Sequence, residues 1–288
     1  MQKSPRWYPR VTNDCLFIDD LLLSKVVLQH NARPGLRPYI HPLRLNDGRS
    51  CLTEDSPWHH PWQHGISTGF HGVNNCDFWL DPGQHPSMII GKIEPKTPQI
   101  LNMDEPKWSI EATWRHANGD ELLAEEQIWS LKEDNDYLCL DLAWALRAIP
   151  RIHIVDDEYG GLFIRMPFRS SANTTVLSST GLKDSATEQQ AAAWLSLHMP
   201  LENNDSGGGI TVFDHPENPH HPAKWRVDHQ RGINPSPCIS GAIDLPSGDV
   251  LLHRYRLVLH ENKLTYDEIN RLWLTYSKGN ANQKEYKI

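Results

Sequence analysis

Three short stretches of the chain concentrate side chains that can move protons, bind metal or hold a polar ring. The first is Pro57-Trp58-His59-His60-Pro61-Trp62-Gln63-His64-Gly65, with three His inside six positions. His60 and His64 have the spacing that puts two ligands on one helix face. Pro61 between them argues against a regular helix interior. A zinc site would also want a third ligand, so the pattern calls for no cofactor and leaves a divalent metal possible. Imidazoles acting as general acid and base, or as donors to sugar hydroxyls, suit the stretch better. The bland alternative is a hydrogen-bonded structural loop.

The second stretch is Phe70-His71-Gly72-Val73-Asn74-Asn75-Cys76-Asp77-Phe78-Trp79. Gly72 and Asn74-Asn75 suit a turn that exposes its neighbours. Asp77, flanked by two aromatics, could be a carboxylate screened from water, an environment that raises its pKa. It could equally be a turn Asp accepting local backbone N–H groups. The third stretch, Phe213-Asp214-His215-Pro216-Glu217-Asn218-Pro219-His220-His221-Pro222-Ala223-Lys224-Trp225, is stiffened by three Pro and carries three His, one Asp and one Glu. A loop so rich in ionisable residues points to binding, and Arg226, His229, Asn234 and Pro235 follow closely. In a fourth stretch, Asp156 to Met166, Glu158 is a candidate base. Arg165 lies within an apolar run and must find a partner, either a substrate or, the better expectation, a structural carboxylate, since an unpaired buried charge is expensive.

The elements that would position these residues read as β-structure. Trp108 to Trp114 alternates apolar with polar, Asn118-Gly119 is a hairpin turn, and Leu122 to Leu131 runs back. Asp134-Asn135-Asp136 turns again into Tyr137 to Leu146, which makes a three-strand meander. Leu21 to Leu28, Leu162 to Met166, Ile210 to Phe213 and Val250 to His260 are further strands, with Gly207-Gly208-Gly209 as the turn before one of them. Pro34, Pro38 and Pro42 keep 33–45 extended, Asn46-Asp47-Gly48 is a turn, and 55–79 is a long loop leading into short strands. Residues 183–195 read as either strand or helix, with Glu188 to Ala193 leaning weakly to helix by propensity. The last element is a helix capped by Thr265, with Leu264, Ile269, Leu272 and Trp273 on one face. Consecutive strands, tight turns and few helices indicate an all-β protein of stacked antiparallel sheets, with one domain over 1–288.

Composition narrows the function. The chain has 288 residues, 39% hydrophobic and 22% charged, a globular balance. Its net charge of -8 and the lack of any long Lys/Arg run argue against nucleic acid as a partner. Five scattered Cys with no C-x-x-C argue against a disulfide framework. With no apolar leader at the N-terminus and no run approaching a membrane span, a cytoplasmic location is expected. Walker A, dinucleotide-binding, nucleophile-elbow and His-Glu-x-x-His signatures are missing.

Three blocks resemble a bacterial family labelled "methane oxygenase PmoA-like", in effect a domain family of unknown function. They are Arg37 to Leu43 continuing through His60 to Gly65, Val73 to Trp79, and Ile210 to Pro219 with Trp225 and Asn234-Pro235. The family pattern reads His-Pro-His-His-Arg-Gly where this chain has His60-Pro61-Trp62-Gln63-His64-Gly65, which puts in doubt any metal role that needs the missing His. The resemblance implies a galactose-mutarotase-like β-supersandwich whose open face binds sugars. It does not imply methane oxidation, which belongs to membrane proteins.

The leading expectation is therefore an enzyme acting on a sugar or oxidised glycoside by epimerisation, β-elimination or glycoside cleavage. His60 and His64 would transfer protons, with Asp77 and His215 as their partners. Arg44 would orient the substrate, Trp58, Trp62, Trp79 and Trp225 would stack on it, and Glu158, Arg165 and His221 would line the site. The alternatives are a carbohydrate-binding or sensing protein without catalysis, and a metal-dependent lyase or hydrolase using His60, His64 and a His from 215–221.

Overall fold

The computed structural model describes residues 5–134, 137–202, 204–279 and 287–288. The strands form two large antiparallel sheets. One has eight strands, and at its centre Tyr39–Leu43, Ile66–Phe70, Gly160–Ile164 and Ile233–Ser236 lie side by side. The other has nine, built on the expected meander of Lys107–Arg115, Glu121–Asp134 and Tyr137–Ala148, with Val250–His260 and Asn204–Asp214 beyond it. Of the expected turn after Asp134, Asn135 and Asp136 lie outside the described residues.

The period-2 alternation determines which side chains lie between the sheets. Trp108, Ile110 and Trp114 are buried, as are Leu138, Leu140, Leu142 and Trp144. Phe70 of the smaller sheet stacks on Trp144 at 5.3 Å, and Trp108 Nε1 donates to His30 Nδ1 at 3.0 Å, so the two sheets meet face to face. The interior also holds a carboxylate. Glu125 accepts both Trp114 Nε1 and Trp144 Nε1 at 2.7 Å and Gln127 Nε2 at 2.8 Å, which is what allows it to be buried. Burial still pushes its pKa up, against those hydrogen bonds.

On the opposite face of the nine-stranded sheet, Cys139, Phe213 and Val258 form a second apolar patch. The helix Tyr266–Ser277 covers it through Ile269, Leu272 and Trp273, and begins with a capping box between Thr265 and Glu268. No helix among the described residues is long and apolar enough to cross a membrane. All five cysteines are free.

Two local expectations fail for identifiable reasons, and a third reading that was open is decided. Leu21 to Leu28 is not one strand: Cys15–Asp20 and Lys25–Asn31 form a hairpin. Asp20 Oδ1 accepts the Leu22 and Leu23 N–H groups at 2.8 and 3.1 Å and forces the turn, leaving Leu22 76% exposed. Gly207 to Gly209 lie inside the strand Asn204–Asp214. A Cβ on Gly209 would come within 2.5 Å of the Leu197 carbonyl oxygen, so that glycine permits close approach and makes no turn. Residues 183–195 hold only the 3₁₀ turn Asp184–Thr187 before the strand Trp194–Leu201.

Candidate functional site

A cleft of about 250 Å³ lies against the eight-stranded sheet, on the side away from the nine-stranded one. The strand Ile66–Phe70 pairs with Gly160–Ile164, Phe70 opposite Gly160. His71 and Tyr159, the next residues outward, are therefore neighbours, and His71 N donates to the Tyr159 carbonyl at 3.1 Å. The loop after His71 folds back flat on the sheet. Gly69 makes room for it, since a Cβ there would meet the Phe78 carbonyl oxygen at 2.6 Å. Buried Arg37 holds this loop to the first His stretch by donating to the carbonyls of Trp62, at 2.7 Å, and Phe78, at 3.5 Å.

One wall is aromatic. Trp79 meets Phe163 edge-on at 5.5 Å and Tyr159 at 6.1 Å, and Trp62 also lines the cleft, with His60 edge-on to it at 5.3 Å. The polar wall is built on His71. Its Nδ1 lies 2.9 Å from Asp157 Oδ2, and its Nε2 lies 3.5 Å from Asp77 Oδ2. The hydrogen bond to Asp157 raises the His71 pKa above the ordinary histidine value, against the effect of burial. Burial works against Asp157 as well, yet the His71 contact holds that carboxyl below its usual range. Asp77 takes the turn role expected of it: Oδ1 accepts the N–H groups of Trp79 and Leu80 at 2.9 and 2.7 Å, while Oδ2 faces His71.

His60 is the opposite case. Burial, and then the nearby Arg165 and His59, push its pKa down. Its Nδ1 is enclosed and makes no hydrogen bond among the described residues. Beneath it Arg165 is fully buried. Its Nε donates to Gln63 Oε1 at 2.7 Å, Nη1 to the Gln230 carbonyl at 2.9 Å, and Nη2 to Asp228 at 2.8 Å. The expected structural carboxylate is therefore Asp228. Gln63, its carbonyl on Arg165, also lines the cleft. Arg226 is set by Glu188, with Glu158 Oε2 3.5 Å away and its guanidinium 5.7 Å from the Tyr159 ring centre.

Of the residues expected from sequence, His60, Trp62, Asp77 and Trp79 meet in this cleft, and Glu158 stands beside it through Arg226. The others do not meet there. His64 is buried with both nitrogens occupied, Nδ1 by Asp55 at 2.5 Å and Nε2 by Asp81 at 2.8 Å. No nitrogen of His64 is left for proton transfer or for a metal. Arg44 is held in a backbone bridge to Cys51, outside the cleft lining. Trp225 is fully buried with Nε1 on the Ala192 carbonyl at 2.8 Å. His221 Nδ1 binds Asp214 at 2.7 Å and stacks on Trp273, and His215 lines a different cavity with Arg254 and Tyr276. Trp58 is 92% exposed, outside the cleft. Among the described residues no group of three or more His, Cys, Asp or Glu could hold a metal ion, and the set of His60, His64 and a third His is not assembled.

The sequence singled out the stretch containing His71 but not His71 itself, and it passed over Asp157, Tyr159, Phe163 and Asp228. The available signal was a His directly after a strand and before Gly72, whose φ of 66° fixes the turn. Nothing in residue type marks Phe163 or Asp228, which reach the cleft only through strand pairing.

Comparison with known proteins gives a family and no activity. The sequence model of a family of unknown function, DUF6807, matches residues 24–274. That agrees with the unknown-function part of the resemblance above, while the methane-oxygenase label has no counterpart in the match. No curated protein matches the chain. Among solved structures, the chain is similar to an alpha-galactosidase from Lactobacillus brevis, at 11% identity and a TM-score of 0.39, covering 90% of this chain and 40% of that one. It is also similar to the galactosidase domain of an alpha-galactosidase-sucrose kinase, at 8% identity and a TM-score of 0.38, covering 89% of this chain and 41% of that one. A TPR-domain containing protein from Parabacteroides distasonis superposes at a TM-score of 0.33 with 12% identity, covering 96% of this chain and 49% of that one. The chain thus spans less than half the length of each, and superpositions this loose do not bear on its chemistry.

Proposed function

We propose that this chain, which belongs to the family of unknown function DUF6807, acts on a small sugar or glycoside by proton transfer between imidazoles in the cleft beside Trp79. The observation that carries this is the convergence of His60, His71 and Asp77 with the rings of Trp62, Trp79, Tyr159 and Phe163 around one space of about 250 Å³. That volume lies just under the roughly 300 Å³ at which ordinary ligand pockets begin. It suits one ring.

The aromatic wall fits the C–H face of a pyranose, and the polar wall fits its hydroxyls. His71 has the attributes of a proton-transfer group. Asp157 fixes its Nδ1 and orients Nε2 toward the cleft, and the raised pKa favours the protonated donor. His60 is pushed toward the neutral, accepting form. Two groups in one site with pKa values driven apart match an acid and a base. His60 would remove a proton from a sugar carbon or hydroxyl, and His71 would deliver one to a leaving or carbonyl oxygen. Epimerisation, β-elimination and cleavage of an oxidised glycoside all use that pair. Asp77 would steady the positive charge on His71. A small polar molecule is the partner proposed, with no nucleic acid and no metal required.

The test is melting temperature against a panel of neutral sugars, 3-keto-sugars and uronic acids, for the native protein, His60→Ala and His71→Ala. A ligand that binds only the folded state raises the midpoint. A rise specific to one sugar class and lost in both variants supports the assignment. Unchanged midpoints across the panel would end it. Binding without turnover of the bound sugar, with unaltered affinity in His71→Ala, would turn the protein into a sugar-binding module.

A further inference from the structure

Of the eleven tryptophans, Trp58 alone stands open to solvent, at 92% exposure. An indole left in water forgoes the stabilisation that burial would give, so the fold itself does not account for it. Nor is the ring loosely placed. Pro57 and Pro61 stiffen its loop, and the ring stacks on His59 at 5.4 Å with planes 29° apart. His59 is edge-on to His60 at 4.9 Å, and His60 is edge-on to Trp62 at 5.3 Å. Four rings thus form a continuous row from open solvent to the cleft wall. Neither His59 nor His60 uses Nδ1 in a hydrogen bond among the described residues, so hydrogen bonding within the fold does not explain why two imidazoles fill the middle of the row.

We infer that Trp58 is the platform of an outer subsite, and that the substrate is a glycoside of at least two rings rather than a free monosaccharide. The assignment rests on the proposed sugar cleft. A cleft of about 250 Å³, lined by Trp62 and Trp79 among others, has room for one ring. A second, joined through its glycosidic oxygen, must leave along the rim, and the row from His60 to Trp58 is an aromatic path leading out of it. Trp58 stacks on His59 by one side and is otherwise open to water, so it offers an indole face on which the C–H side of a pyranose packs while its hydroxyls stay hydrated. A protein partner docking on Trp58 is the competing occupant. It would have no reason to favour ligands according to ring number.

The experiment uses gluco-, galacto- and mannoside ladders of one, two and three rings with the full chain, Trp58→Ala and Trp58→Phe. Affinity is read by calorimetry, and exposure of Trp58 by iodide quenching of fluorescence. Iodide should reach the exposed Trp58 indole preferentially, and Trp58→Phe should remove that component, which identifies it. The expected result is affinity about tenfold higher for two rings than for one, with the quenchable component shielded by the longer ligand only. Trp58→Ala should reduce the two-ring affinity to that of the monosaccharide, and Trp58→Phe should keep part of the gain. A monosaccharide that binds as tightly as its longer homologues, with iodide access unchanged, overturns the outer subsite and leaves the cleft assignment standing. If no ligand binds on these ladders or on the matching 3-keto-glycoside and uronide ladders, both fail. Because Trp58 is exposed, both variants should melt with the native protein, so a lost length preference cannot be ascribed to unfolding.

Discussion

The loops 57–64 and 213–225 look alike as sequences, each rich in His and Pro, and the structure uses them in opposite ways. In 213–225 the polar groups close on one another. Asp214 accepts Asn218 Nδ2 and His221 Nδ1 at 2.7 Å and Ala223 N at 2.9 Å, and Asn218 exchanges hydrogen bonds with the backbone of Arg254. His221 then stacks on Trp273 of the helix. The loop fastens the helix to the sheet. In 57–64 His64 is closed off, while among the described residues His59 and His60 keep Nδ1 without a partner and their rings lead to the cleft. What separates a structural loop from a candidate site here is whether its donors and acceptors are already satisfied, and composition does not report that.

The largest expected effect falls on the cleft. His71→Ala should lower turnover of the sugar identified by the panel about 10²- to 10⁴-fold, the ordinary contribution of a positioned acid or base. The melting temperature should move only slightly, because Asp77 keeps its two backbone donors. Steady-state kinetics alongside a melting curve check this. A melting temperature that collapses with little change in turnover would make His71 a structural residue and dissolve the contrast. Asp157→Asn should leave His71 in place and move the pH profile of kcat to lower pH, since the raised His71 pKa depends first on that hydrogen bond.

Next comes the structural loop. Asp214→Ala leaves three donors unmet at a site that is 1% exposed, which costs about 3 kcal/mol. The melting temperature should fall by about 5 °C or more, with sugar affinity at low temperature unchanged. Lost affinity at an unchanged melting temperature would return 213–225 to the binding site.

These two cases show how far the sequence could be read. The all-β architecture, the 107–148 meander and the capped terminal helix were legible because alternation and capping are local signals. Asp77 and His60 were legible as chemistry-bearing residues in loops. His215, His221 and Trp225 were misassigned because an Asp–His–Asn ring of hydrogen bonds and an active-site cluster draw on the same residue types. Phe163 and Asp228 were invisible because their place depends on Gly160–Ile164 pairing with strands distant in sequence.

A smaller effect tests His64, which joins the first loop to the second. Burial lowers its pKa, but the hydrogen bonds to Asp55 and Asp81 outweigh burial and hold it above the ordinary value. A folded pKa above the unfolded one means the contribution is complete below about pH 6.5 and is lost as pH rises through the folded value. The stability gap between the native protein and His64→Gln should therefore be widest near pH 6 and narrow toward pH 9, read from denaturant midpoints. A gap that widens with pH would mean that His64 works as a neutral hydrogen-bonding group and that no imidazolium clamps the loop.

The smallest effect is expected where the sequence looked most functional. Glu217 sits among three His and three Pro, yet its side chain is 58% exposed and its one ion pair, to Arg254, is 3.3 Å long. Exposed pairs of this kind contribute about 0–1 kcal/mol, because water screens the charges and two long side chains lose freedom. Glu217→Gln should leave the denaturant midpoint and sugar affinity where they were. If it instead reduces turnover, the cavity lined by His215 and Arg254 takes part in the reaction and the molecule has two working faces. If it is silent while Asp214→Ala is severe, the stiffness of 213–225 serves the joint between helix and sheet, and the chemistry belongs to the cleft around His71.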